Sequence, residues 1–213
     1  MAITRRLHPE AISDLSGRIA NLVARHDTAV STAGPPELAE SFAVHLLSPG
    51  GVKGAARRGR SLARVIRTSG RWHHQIYIGG KPVGFARSEE PGRAHSDWSV
   101  NSVFVSDLAA KIEAAVQRID AERPDDKTEV RLVDFPAHHM HLFMIESPGT
   151  SAKGKKPGKN EVFVIGSPFS APGLEEGRFY SERKFLRAIL AKPLIRGLIH
   201  KPAASRRKSK AGR

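Results

Sequence analysis

The sequence predicts an α+β fold: a mostly antiparallel sheet of about five to six strands with helices packed on one face, N-terminal helices before it and a disordered basic C-terminal tail after it. Three observations predict this. The first 70 residues carry apolar side chains at helical spacing; from Trp72 onward, short alternating runs are punctuated by glycine and proline; and the last residues, from Lys201, offer no large apolar anchor. The division expected is a helical region over 1–70, an α+β core over 71–200 packed with it as one unit, and a tail over 201–213.

His8 to Arg25 reads as an amphipathic helix, with Pro9 in its first turn and Ile12, Leu15, Ile19, Leu22 and Val23 along one stripe. Glu37 to Leu47 repeats the pattern with Leu38, Phe42, His45 and Leu46, and Ser48-Pro49-Gly50-Gly51 ends it. In the next segment Arg57, Arg60, Arg64 and Arg67 step by three, four and three, which predicts a helix with an arginine ridge opposite Leu62, Val65 and Ile66. Gly59 works against that helix near its start.

The period then changes to two. Trp72–Ile78 and Pro82–Arg87 form a predicted hairpin through Gly79-Gly80, whose freedom at positive φ suits a tight turn. Trp98–Val105 is a third strand, and Ser106 caps a helix carrying Leu108, Ile112, Val116 and Ile119. Arg123-Pro124 stops it. Strands follow at Glu129–Asp134, His138–Glu146 and Glu161–Ile165, and Ser181 opens a last helix with Phe185, Leu186, Ile189 and Leu190, ending near Pro193. No internal repeat is visible in the residues.

The 213 residues include 35 Lys/Arg against 21 Asp/Glu, a formal net charge of +14. That charge is segregated. Lys53–Arg71 holds seven basic residues, Lys153–Lys159 four and Arg183–Arg213 eleven, all without an acid, so the remainder of the chain is acidic. One-sign blocks create a field that concentrates polyanions, whereas a surface tuned for solubility intersperses both signs. The leading expectation is therefore a non-enzymatic protein that binds nucleic acid, or another polyanion, through the phosphate backbone without sequence specificity. The contacts expected are Arg57, Arg60, Arg64, Arg67 and Arg71, with Trp72 stacking on a base, Lys155 and Lys156 in a loop, and Arg206, Arg207, Lys208 and Lys210 in the tail. Docking on an acidic protein is an alternative of the same electrostatic kind.

Cysteine is absent, which excludes disulfides and thiolate chemistry and fits a cytoplasmic location. No stretch approaches the roughly 18 apolar residues of a membrane span. No cofactor is expected, but ten histidines leave a divalent metal or a histidine-dependent hydrolase or nuclease as the rival reading. On a strand, alternation places His139 and His141 on one face, where His73 could complete a metal site; His74, His95, Asp97 and Asp134 are other candidates. Gly54–Ser61, G-A-A-R-R-G-R-S, approaches a phosphate-binding loop but has Arg60 in place of the lysine and no clear strand before it.

Overall fold

The computed structural model describes residues 7–26, 34–92, 97–123, 128–146, 160–166, 171 and 173–191. The predicted tail, with Arg206, Arg207, Lys208 and Lys210, and the loop with Lys155 and Lys156 lie outside the described residues, as does His95.

Eight strands form a single mixed sheet: β1 (Glu37–Leu46), β2 (Arg67–Ile78), β3 (Lys81–Glu89), β4 (Ser99–Val105), β5 (Glu129–Phe135), β6 (Met140–Glu146), β7 (Asn160–Gly166) and β8 (Arg178–Ser181). Their spatial order is β4-β3-β2-β1-β5-β6-β7-β8. All neighbours are antiparallel except β1 and β5, which pair in parallel from Val44↔Leu132 to Leu46↔Asp134. The sheet is thus two four-strand meanders joined back to back at its centre. Each is preceded by a helix, α1 (Pro9–His26) before β1 and α3 (Leu108–Glu122) before β5. Helix α2 (Pro49–Arg58) follows β1, and α4 (Glu182–Ala191) follows β8.

Helices cover both faces, not the single face expected. On one face Ile112, Ala115 and Ile119 of α3 pack on Phe42, Val44, Val130, Leu132, Phe143 and Ile145. On the other, Leu15, Ile19 and Val23 of α1 sit on Ala43, Trp72 and Ile76, while Val52 and Ala55 of α2 and Phe185 and Ile189 of α4 cover Val133, Leu142 and Val164. Phe42 and Val44 face one layer and Ala43 the opposite one, as a central strand buried on both sides requires.

Two predicted elements are corrected. The segment expected as a helix over Glu37–Leu47 holds the central strand β1: a spacing of four satisfies a period of two as well as a helical turn, and Phe42 and Val44 on one face and Ala43 on the other are all buried in a two-sided core. The arginine-ridge helix does not run through 57–67. It ends at Arg58, where Gly59 caps it in the left-handed conformation (φ 58°); a one-turn 3-10 helix, Leu62–Arg64, follows, and β2 begins at Arg67. Strand β1 and the short edge strand β8, for which the sequence offered no strand signal, together take the sheet past the five to six strands expected. The Gly79-Gly80 turn is present with φ of 56° and 73° at the two glycines, as are the helix over 108–122 and the hairpin of β5 and β6. Among the described residues, no helix is long and apolar enough to cross a membrane.

Candidate functional site

Of the broken ridge, Arg60 meets the arginines of α4. The 3-10 turn is tied to α4 by Glu182, whose Oε1 accepts hydrogen bonds from Ser61 Oγ (2.7 Å) and the Leu62 amide (3.1 Å), while Asn160 Nδ2 donates to Ser61 Oγ (2.8 Å). This staple closes the floor of a cleft of about 650 Å³ between α2 and α4, lined among others by Arg60, Arg183, Leu186 and Arg187. Two basic segments more than 110 residues apart in sequence therefore share one surface. Arg57, Arg58, Arg60, Arg64, Arg67, Arg183 and Arg187 are all exposed.

Their pairing distinguishes them from the other arginines. Arg18 bonds to Asp14, Arg118 to Glu122, Arg123 to Glu161, Arg131 to Glu129 and Glu146, and Arg178 to Glu175. Among the described residues, the arginines of 57–67 and those of α4 make no such ion pair. Arg71, expected to join the ridge, is balanced by Glu89 at 2.9 Å. Trp72 is corrected too: it is 2% exposed beneath α1, and its Nε1–H donates to Glu90 Oε1 (2.7 Å), so no base can stack on it. Gly54–Ser61 spans the carboxyl half of α2 and its cap, not a loop ahead of a helix, which removes the phosphate-loop geometry.

A second cluster lies on the face covered by α3. His141, the second residue of β6, stands opposite Asp134 of β5 and hydrogen-bonds through Nδ1 to Asp134 Oδ1 at 2.8 Å. Arg87 reaches from β3 to the other carboxylate oxygen, Nη2 to Oδ2 at 3.1 Å. Burial by itself would raise the Asp134 pKa, but the His141 hydrogen bond and the neighbouring cationic charge outweigh it and hold the carboxyl below its ordinary value. His73, on β2, is 1% exposed and stacked on Phe85 with ring centroids 4.4 Å apart, and its Nε2 has no hydrogen-bond partner among the described residues. Burial first, and Arg87 second, push its pKa down to about 3, so it is neutral. Its neighbour His74 bonds Ser41 Oγ and Ser88 Oγ from its two ring nitrogens and is lowered to about 4 by burial.

His139 does not join this cluster. It closes the 3-10 turn Pro136–His138 in the left-handed conformation (φ 50°), the one non-glycine residue at positive φ among the described residues, and β6 begins only at Met140. The alternation that paired His139 with His141 therefore never starts. No group of three or more His, Asp or Glu side chains among the described residues could hold a metal ion. Arg87 had carried no signal in sequence: it is a charged residue on a strand, and only the order of the strands brings it to Asp134. Comparison with protein-family models, curated proteins and solved structures gave no match for this chain.

Proposed function

We propose that the protein binds nucleic acid, or a similar polyanion, along its phosphate backbone without sequence specificity. The observation that supports this reading is the α2–α4 cleft, flanked by Arg60, Arg183 and Arg187 with Arg57, Arg64 and Arg67 nearby in the chain, all exposed and without carboxylate partners among the described residues. Unpaired guanidinium groups present forks that match phosphate oxygens, and each contact releases a condensed counterion. Glu122, Glu161 and Glu129 are engaged with their own arginines elsewhere, and Glu182, the carboxylate within the cleft, is held by Ser61 and the Leu62 amide. Among the described residues, the cleft lining holds no aromatic side chain on which a base could stack, so on this reading affinity is carried by the phosphate backbone.

The test is binding of two labelled oligonucleotides of unrelated sequence to the full chain and to Arg60→Gln/Arg187→Gln. Equal weakening for both sequences supports the reading. Unchanged affinity, or weakening for one sequence alone, rejects it.

A further inference from the structure

At the centre of the sheet the chain leaves β1 toward β2 and leaves β5 toward β6, in opposite directions across the sheet. In open α/β sheets, ligands bind outside the carboxyl ends of parallel neighbours that diverge in this way. Leu46 and Asp134 are paired at that end, and Asp134 carries the hydrogen bond to His141. The cluster is partly open: the side chains of His141 and Arg87 are 29% and 26% exposed, that of Asp134 11%.

The chemistry of the pair follows from its protonation. An ionised carboxylate only accepts, so the proton of a neutral His141 sits on Nδ1 and the lone pair on Nε2, which has no partner among the described residues. Arg87 neutralises the carboxylate from its other side while, among the described residues, its own buried Nε–H and the buried Nε2 of His73 are unpartnered. Unmet polar groups this deeply buried point to a polar species that belongs among them. The left-handed His139 lies two residues from the base, and backbone conformations of that kind concentrate at functional sites.

We propose that His141 is the general base of a metal-free site that hydrolyses phosphodiesters, an inference that rests on the polyanion reading for its substrate class. Nε2 takes a proton from water as the water oxygen forms a bond to phosphorus; the bond from phosphorus to the leaving oxygen breaks, and the imidazolium returns the proton to that oxygen. Arg87 stabilises the negative charge on the phosphoryl oxygens. Asp134 is a positioning residue: it fixes the ring and its tautomer.

The experiment uses the full chain after chelator treatment, with bis(4-nitrophenyl) phosphate as probe and oligonucleotide binding measured on the same preparation. The expected result is nitrophenolate release that chelator does not affect and that falls about 100-fold or more in His141→Gln. Asp134→Asn, which can donate to Nδ1 and reverse the tautomer, lowers kcat with KM retained and alters the pH–rate profile set by His141 among Arg87, Asp134 and His73. A preparation that binds oligonucleotide but releases no nitrophenolate overturns this proposal while leaving the binding reading intact; so does release that survives His141→Gln or is lost with chelator. Nitrogen-15 spectra of the unmutated protein add a test that no folding defect can obscure: the neutral ring of His141 carries its proton on Nδ1, and a neutral ring protonated on Nε2 instead overturns the proposal.

Discussion

Glu182 Oε1 accepts a 2.7 Å hydrogen bond from Ser61 Oγ, joining residues 121 positions apart. The same oxygen takes the Leu62 amide, so one carboxylate both starts the 3-10 turn and seats it against α4. The bond lies within the cleft that Arg60, Arg183 and Arg187 line. Glu182→Ala leaves the Ser61 hydroxyl and the Leu62 amide without their acceptor and is expected to cost about 2 kcal/mol, read as a lower urea midpoint; Glu182→Gln, which keeps an accepting oxygen, costs less. Equal midpoints for Glu182→Ala and the unmutated chain would show that the staple contributes nothing.

The buried histidines set the acid limit of the fold. His73 and His74 are held at about 3 and about 4 by burial, against about 6.5 when unfolded, so between those values the unfolded chain binds more protons. Their contribution is fully present above about pH 6.5 and is lost as pH falls toward 4, at up to about 1.4 kcal/mol per pH unit for each ring. Denaturant stability is expected to be about 2–4 kcal/mol lower at pH 5 than at pH 7.5. His73→Phe, which keeps the stack on Phe85 and removes the unpartnered Nε2, flattens that slope without lowering stability at pH 7.5. Stability that does not change between these pH values would contradict the account.

Gly84 shows where backbone, not side chain, limits substitution. A Cβ added there would lie 2.2 Å from the Phe104 carbonyl oxygen of the paired strand β4, and that contact cannot be relieved by a rotamer change. Gly84→Ala is expected to destabilise by about 2 kcal/mol or more. The β4 amides would exchange faster than those of β5 in the same variant. Uniform exchange across the sheet would argue against local detachment.

The alternation of Trp72–Ile78 and the Gly79-Gly80 turn are local features, and they were legible because the forces that shape them act within a few residues; the helix after Ser106 was legible too, but Asp107 rather than Ser106 holds its N-cap position, Ser106 Oγ accepting from the Leu108 amide. Strand β1 was not legible, because Leu38, Phe42 and Leu46 fit both periods and only the pairing of Val44 with Leu132 decides between them. The repetition of the two meanders left no trace in the residues, since their loops differ: α2 and a 3-10 turn after β1, a three-residue turn after β5. Asp134 and His141 could each be suspected as polar residues in strand patterns. Their pairing follows from hairpin register, and the approach of Arg87 follows from the strand order alone.

The central claim is that the arginines of 57–67 act as a phosphate-binding surface, and the salt dependence of oligonucleotide affinity tests it most directly. Anisotropy of a labelled oligonucleotide, measured from 50 to 200 mM salt, is expected to give a steep negative slope of log K against log salt for the full chain. In Arg57→Gln/Arg60→Gln/Arg64→Gln/Arg67→Gln that slope falls by about 0.7–0.9 for each phosphate contact removed. A slope identical in the two proteins, or affinity indifferent to salt in both, would contradict the account.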